Sequence, residues 1–285
     1  MLAFVYAGQG SQYVGMGEGF ADEVWSEEQL KQTKFVQPAI VSIEIAITDA
    51  LKEAGICPDV VAGLSLGEYA ALYASGVWDK ATTMDIIAYR GKVMQQATAE
   101  AQCIMTAILG LDSDLVKKAI DVKGFVQIAN YNCTGQIVIA GEAEAVIKAA
   151  EKAKELGARK CIPLNTSGPF HTSLMEDASQ LLAEKFKEIE FSDMKIPVIS
   201  NVTGEILQGN IAQSLVAQVK SPVQFEKTIQ TMQKMGVTRV IEIGPGKVLS
   251  GFIKKQTPQI QTYNIETRSD FECVKQQLLP AVPAV

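Results

Sequence analysis

Two residues of this 285-residue chain have the types needed for nucleophilic catalysis. Ser65 lies at the centre of Gly63-Leu64-Ser65-Leu66-Gly67, a G-x-S-x-G pattern typical of a nucleophile elbow. His171 is the only histidine in the sequence. Because a serine hydroxyl is a weak nucleophile until a base takes its proton, we expect the His171 imidazole to activate Ser65. The alternative is a chance match to the pattern at the start of a helix.

An elbow needs a strand before the serine and a helix after it. Residues 60–64 form an apolar run that predicts a buried strand, and residues 66–75 predict a helix that ends at Gly76. The turn between them would direct the Ser65 hydroxyl into a cleft. It would also direct the N–H of Leu66, at the start of the helix, toward an oxyanion.

A second glycine-rich turn, Gly8-Gln9-Gly10-Ser11-Gln12, follows an apolar strand predicted at 2–6. It lacks the third glycine of a dinucleotide fingerprint, because Tyr13 occupies that position, and no G-K-[ST] follows it. Dinucleotide and NTP binding are therefore disfavoured. The turn is suited to presenting the Gln9 N–H to a ligand, although a plain connection between strand and helix is equally compatible with it.

Arg90 lies on a largely apolar helix predicted over 79–100. An arginine in such a position either extends its charge to solvent along the protein surface or binds a carboxylate from a buried position. The local pattern leaves both interpretations open.

Composition limits the function classes. The net charge is −6 and no basic block occurs, which argues against a nucleic-acid partner. No apolar run reaches 18 residues, so a membrane span is not expected. The five cysteines are scattered and form no C-x-x-C pair, which predicts reduced thiols in the cytoplasm and, with one histidine, no structural zinc site.

The order of predicted elements indicates an α/β protein with two domains. Short apolar strands alternate with amphipathic helices, and Pro38 is expected to open one of these helices as its first residue. Residues 101–165 differ, because their predicted order is βαββαβ, that of a ferredoxin-like module. We therefore expect a large α/β domain of residues 1–100 and 166–285, with a small domain of residues 101–165 inserted into it.

Taken together, six segments resemble the malonyl-CoA:acyl carrier protein transacylase family, which includes the acyltransferases of polyketide synthases, and the match covers almost the whole chain. In chain order, the segments are Gly8-Gln9-Gly10-Ser11-Gln12, Gly63-Leu64-Ser65-Leu66-Gly67-Glu68, Arg90, Asn130-Tyr131-Asn132 with Gly135-Gln136-Ile137-Val138, Phe170-His171, and Glu242-Ile243-Gly244-Pro245-Gly246.

The resemblance implies roles for several residues of these segments and for Gln218. Ser65 is implied as the nucleophile and His171 as the general base, with the main-chain carbonyl of Gln218 orienting the imidazole. The N–H groups of Gln9 and Leu66 are implied as the oxyanion hole. Three residues are implied to bind the substrate: Arg90, Phe170 and Gln136. Among them, Arg90 is implied to hold the malonyl carboxylate as a bidentate fork.

The resemblance further implies an α/β-hydrolase-like large domain and a serine-ester mechanism that needs no metal or other cofactor. Malonyl-CoA and an acyl carrier protein are the implied partners, and a monomer is expected to act. An acyl hydrolase of the same family and a non-catalytic carrier-docking module are the alternatives. Two features depart from the family pattern: the segment between Gln12 and Gln37 is short, and Pro169 precedes Phe170.

Overall fold

The computed structural model describes residues 1–21, 23–98, 102–165 and 168–279. The strands in these ranges are β1 Leu2–Tyr6, β2 Val60–Gly63, β3 Cys103–Leu109, β4 Val126–Cys133, β5 Gln136–Glu142, β6 Lys160–Leu164, β7 Val198–Ile199, β8 Arg239–Ile243 and β9 Gln261–Ile265. The helices are α1 Glu27–Leu30, α2 Thr33–Glu53, α3 Gly67–Ser75, α4 Lys80–Thr98, α5 Ser113–Ala119, α6 Ala143–Glu155, α7 Glu176–Phe186, α8 Ile211–Lys220, α9 Phe225–Lys234, α10 Val248–Gln256 and α11 Arg268–Leu278, and a 3-10 turn covers Ser173–Met175.

Five strands form a parallel sheet in the order β7-β2-β1-β8-β9. Every residue of β1 and β2 is buried, as expected for central strands covered by helices on both faces. The chain moves from β1 to β2 on one side and later to β8 on the other, so β1 lies where the strand order reverses. In open α/β sheets this position, at the carboxyl ends of the strands, is where ligands bind.

Four strands form a separate antiparallel sheet in the order β4-β5-β3-β6. One face packs against α5 and α6 around Ile108, Val116 and Val146. The other face contributes residues such as Ala107 and Val138 to the same apolar cluster that contains β1 and α2. The two sheets therefore share a continuous core, and the space between them is available for a site.

Two sequence-based expectations about elements were wrong or incomplete. Pro38 does not open α2, because the helix begins at Thr33, five residues before the predicted start, and the N–H groups of Phe35 and Val36 already bond to the carbonyl of Gln32. Pro38 therefore lies inside the helix, where it removes one main-chain hydrogen bond. The final strand and helix, β9 and α11, were not predicted. The chosen domain limits at 100/101 and at Thr166 lie outside the described residues.

The helices in the described ranges include none that combines the length and the apolar character needed to cross a membrane.

Candidate active site

Ser65 occupies a strained turn between β2 and α3. Its φ of 55° and the φ of 63° at His171 are the two positive values among non-glycine residues in the described part of the chain. L-residues adopt this region at a cost, and such strain concentrates at functional sites. The turn brings the Ser65 side chain to the carboxyl end of β2, beside β1.

The two glycines of the elbow are required by close approaches of the main chain. A Cβ added at Gly63 would lie 2.0 Å from the carbonyl carbon of Gly67, and one added at Gly67 would lie 2.3 Å from the carbonyl oxygen of Tyr6. Both distances are far below van der Waals contact. The G-x-S-x-G pattern is therefore fixed here by the packing of α3 onto β1 and β2.

Asn201 holds the elbow from the neighbouring strand. Its Oδ1 accepts a hydrogen bond from the Ser65 N–H at 2.6 Å, and its Nδ2 donates to the Gly63 carbonyl at 2.7 Å. Asn201 is buried and follows β7, which pairs with β2. These two bonds satisfy polar groups of the elbow that regular secondary structure leaves free.

His171 meets Ser65 from the loop that follows β6. The His171 Nε2 lies 2.7 Å from Ser65 Oγ, and the His171 Nδ1 lies 2.9 Å from the main-chain carbonyl of Gln218. Because a carbonyl only accepts, Nδ1 carries the proton and Nε2 is free to accept from the Ser65 hydroxyl. This is the arrangement that a general base requires.

Burial keeps the imidazole neutral. It lowers the pKa of His171 to about 4, with a further lowering from the Arg90 charge, against the opposing effect of the hydrogen bond to Gln218. A neutral imidazole is the form that can take a proton, so His171 is poised as a base at neutral pH.

Arg90 is buried and not at the surface, with 1% of its area exposed. Its Nη2 donates to Ser65 Oγ and to the side-chain Oε1 of Gln218, each at 3.2 Å. Its Nε has no acceptor among the described residues, and the guanidinium carbon lies 5.1 Å from the centre of the Tyr69 ring. A buried guanidinium with an unused donor beside a nucleophile is suited to an anionic acyl group.

The turn after β1 lies against the elbow. A Cβ added at Gly8 would lie 2.8 Å from the Leu64 carbonyl oxygen, so only glycine permits this approach. The Gln9 side chain is held by hydrogen bonds with Thr33 and Gln37. Within the described ranges, the N–H groups of Gln9 and Leu66 donate to no main-chain carbonyl, which leaves both available to a ligand oxygen.

These groups line a cavity of about 340 Å³ between the two sheets. Its lining includes six of the predicted site residues: Gln9, Ser65, Arg90, Gln136, Phe170 and His171. Leu66 follows Ser65 directly, and Gln218 bonds to His171. The apolar part of the wall comes from both sheets and from α10, with Met105, Val138 and Phe252 among its members. The structure thus brings all eight predicted positions to one place.

Sequence reasoning did not assign two residues of this place. Asn201 carries no local signal except its position after a predicted strand. Glu68 belongs to the elbow motif, but nothing in its neighbours along the chain shows that its carboxylate contacts Gln218, 150 residues away.

Comparison with known proteins adds to this geometry. The chain matches the acyl transferase domain family over residues 20–269. The malonyl CoA-acyl carrier protein transacylase of Bacillus subtilis is 38% identical over 307 aligned residues, with 97% of each chain covered. This chain belongs to the malonyl-CoA:acyl carrier protein transacylase family.

Solved structures of transacylases have the same fold. The MCAT of Streptococcus pneumoniae is 41% identical with a TM-score of 0.92, and the match covers 98% of this chain and 100% of that one. A malonyl-transacylase solved in complex with a type II polyketide synthase acyl carrier protein is 33% identical with a TM-score of 0.91, covering 97% and 99%.

The transacylase of Bacillus subtilis contains residues that this chain lacks, since the alignment of 307 positions exceeds the 285 residues here. That the gap lies between Gln12 and Gln37 stays a prediction. In this segment the structure places turns at Gly15, Gly17 and Gly19, all with positive φ, before the short helix α1.

Proposed function

We propose that this protein transfers the malonyl group from malonyl-CoA to the phosphopantetheine thiol of an acyl carrier protein, for fatty-acid or polyketide synthesis. The observation that carries the proposal is the convergence of three groups: Ser65 Oγ lies 2.7 Å from the His171 imidazole and 3.2 Å from the Arg90 guanidinium. A nucleophile, a base and a fixed cation in one cavity fit an acyl group that ends in a carboxylate.

In the first half-reaction, Ser65 Oγ attacks the thioester carbonyl while His171 Nε2 takes the hydroxyl proton. The carbonyl electron pair moves to the oxygen, and the N–H groups of Gln9 and Leu66 bind that oxyanion. When the tetrahedral intermediate collapses, the carbon–sulfur bond breaks and the CoA thiolate takes the proton from His171. A malonyl-serine ester remains.

In the second half-reaction, the carrier thiol replaces CoA in the cavity. His171 takes the thiol proton, and the sulfur attacks the ester carbonyl through the same oxyanion site. Collapse then breaks the bond to Ser65 Oγ, which takes the proton back. Because both half-reactions use the same groups in opposite directions, the cycle restores the enzyme without any further reactant.

Arg90 selects the acyl group. A guanidinium offers paired N–H donors that match a carboxylate, and burial makes the interaction stronger than it would be in water. Phe170 and Gln136 line the same cavity, where the Phe170 ring would crowd a substituent on the malonyl α-carbon and Gln136 would contact the acyl chain or the pantetheine arm.

The finer architecture is part of the same proposal. An α/β-hydrolase-like large domain of residues 1–100 and 166–285 is supported by the strand-elbow-helix arrangement around Ser65. A ferredoxin-like domain of residues 101–165 is supported by the element order from β3 to β6 and the strand order of the antiparallel sheet. Because every group in the proposed chemistry comes from one chain, a monomer is sufficient. Cytoplasmic location and the lack of a nucleic-acid partner stay predictions.

The two alternatives explain the site less well. An acyl hydrolase that removes uncharged acyl chains has no use for a buried arginine beside the nucleophile. A non-catalytic docking module has no use for the hydrogen bond between Ser65 and His171. Arg90 and His171 are thus the residues that distinguish the three functions.

Mass spectrometry of the intact protein tests the proposal. After incubation with malonyl-CoA, we expect one malonyl adduct that maps to the peptide containing Ser65 and disappears when an acyl carrier protein with its phosphopantetheine arm is added. Ser65→Ala serves as the control and should take up no malonyl group. An adduct that persists in that variant, or release of free malonate in place of malonyl-carrier, would contradict the proposal.

A further inference from the structure

Glu68 is a buried carboxylate that the proposed reaction does not use. It lies in the first turn of α3, three residues after Ser65, and none of its surface is exposed. A buried carboxylate is costly unless hydrogen bonds or an opposite charge compensate it. What compensates Glu68 therefore indicates what it does.

The contacts of Glu68 lead to the catalytic groups through one side chain. Its Oε2 accepts a hydrogen bond of 2.6 Å from Nε2 of Gln218, and its Oε1 accepts from the Asn201 N–H at 3.3 Å. The same Gln218 Nε2 donates to the Ser65 carbonyl at 2.8 Å. Gln218 Oε1 accepts from Arg90, and its main-chain carbonyl accepts from His171.

These bonds fix which way the Gln218 amide faces. An ionised carboxylate can only accept, so the NH₂ group of the amide turns toward Glu68 and its oxygen turns toward Arg90. In the reverse orientation, the amide would place donors against the guanidinium and an acceptor against the carboxylate. Glu68 therefore orients the Gln218 amide so that its oxygen accepts from Arg90. This hydrogen bond keeps the guanidinium beside Ser65.

Glu68 also acts on Arg90 by its charge. Burial raises the pKa of Glu68 to about 7, against the lowering effects of Gln218, Asn201 and the Arg90 charge. Burial lowers the pKa of Arg90, and the Glu68 charge opposes that change. An ionised Glu68 thus offsets part of the positive charge that would otherwise attract a carboxylate.

Other titratable groups of the site and of the elements packed around it do not produce this effect. His171 has its pKa lowered to about 4, and Tyr69 has its pKa raised to about 12. Tyr6 on β1 and Glu44 on α2, two elements packed against α3, interact with each other. The Glu242 carboxylate is bound by N–H groups at the start of α10.

We propose that Glu68 is a positioning residue that acts through Gln218 and holds Arg90 beside Ser65. When Glu68 ionises, it lowers the affinity of Arg90 for the acyl carboxylate. The proposal rests on the proposed function, because it concerns how Arg90 binds a malonyl group. It predicts that affinity for the malonyl group falls as the pH rises through about 7. Affinity for an uncharged acyl group stays constant.

The experiment measures acylation of Ser65 in a single turnover, with rate constant and half-saturating concentration determined separately between pH 6 and 8.5. Malonyl-pantetheine and acetyl-pantetheine are the substrates. Because neither carries the phosphates of CoA, phosphate titration does not contribute to the measured pH dependence. Wild type should show a half-saturating malonyl concentration that rises roughly tenfold across this range, equivalent to a coupling of about one pKa unit. With acetyl-pantetheine the concentration should not change.

Glu68→Gln keeps an acceptor for Gln218 but removes the charge. We expect its malonyl half-saturation to be independent of pH, with a maximal rate within a few-fold of wild type. Glu68→Leu removes the acceptor as well and should lower the malonyl rate roughly tenfold or more. Glu44→Gln is the matched control, because Glu44 is equally buried yet contacts neither Gln218 nor Arg90, and it should retain the wild-type pH dependence.

A pH dependence that persists in Glu68→Gln, or that appears equally with acetyl-pantetheine, would overturn the proposal. So would a malonyl rate in Glu68→Leu equal to that of wild type. If wild type forms no malonyl-serine at any pH, the proposed function fails instead, so the two failures are distinguishable.

Discussion

The His171 Nε2 lies 2.7 Å from Ser65 Oγ although 106 positions separate the two residues along the chain, and both adopt left-handed backbone conformations. Neither conformation follows from local preference. Each is imposed by packing: that of Ser65 by the glycines of the elbow, and that of His171 by the loop that hydrogen-bonds to α8 at Val219.

His171→Ala should slow acylation of Ser65 by roughly 10²–10⁴-fold, the usual contribution of a general base. The chain contains no second imidazole to replace it. Rapid-quench acylation followed by intact mass measures the rate, and thermal unfolding checks that the variant is folded. Acylation of a folded variant at the wild-type rate would exclude His171 as the base.

The acylation rate constant should remain flat from pH 8 down to about 5 and should fall near pH 4. The reason is that burial lowers the pKa of His171 to about 4, so the imidazole stays neutral above that value. The same depressed pKa means that the unfolded chain binds a proton between about 6.5 and 4 that the folded chain does not. His171 therefore makes the folded state less stable as the pH falls through this window.

The acylation rate is measured at saturating substrate, with circular dichroism as the folding control. A loss of acylation rate centred near pH 6.5 would contradict the prediction that the rate stays flat down to about pH 5.

Arg90→Ala should lower the malonyl-to-acetyl ratio of kcat/KM by orders of magnitude, because the malonyl carboxylate would enter a partly apolar cavity without its counter-charge. Arg90→Lys should recover only part of the ratio, since an ammonium provides a point charge and no paired donors. Acetyl-CoA is the internal control, because it has no carboxylate and should lose little. An unchanged malonyl-to-acetyl ratio in Arg90→Ala would show that Arg90 does not bind the malonyl carboxylate.

Ser65→Gly should be more stable than Ser65→Ala by about 1 kcal/mol, because alanine bears the cost of the left-handed conformation and glycine does not. The φ of Ser65 is 55°. Urea unfolding of the two variants gives the difference directly, and neither has a nucleophile, so activity does not complicate the comparison. Equal unfolding free energies would show that the elbow relaxes when Ser65 is replaced.

Docking of an acidic carrier protein should depend on Arg159 and Lys255. Both side chains line a surface depression that also includes Gly135, next to the cavity residue Gln136. Charge reversal at either position should raise the KM for the carrier while leaving that for malonyl-pantetheine unchanged, and added salt should reduce the difference. Lys148→Glu, an exposed reversal on α6, is the control. A carrier KM that does not respond to reversal of Arg159 or Lys255 would place docking elsewhere.

The sequence allowed the candidate site residues to be proposed, but it did not reveal the residues that hold them in position. Ser65, His171 and Gln9 could be proposed as site residues because glycine patterns and a single histidine are visible along the chain. Asn201 was missed, because its bonds to the elbow depend on the pairing of β7 with β2, which no local pattern records. The edge strand β9 was missed for a related reason: it is mostly half-buried and lacks the continuous apolar run of β1.

The two sheets that face the cavity differ in how far their residues can vary. On the side of the parallel sheet, the turn at Gly8 and the elbow glycines Gly63 and Gly67 leave no room for an additional carbon, so substitutions at these glycines would shift the main chain that carries Ser65. On the opposite side, Met105 and Val138 of the antiparallel sheet face the same space with ordinary side chains. Descendants of this chain can therefore diversify the acyl groups they accept by changing one wall, while inheriting the chemistry of the other intact.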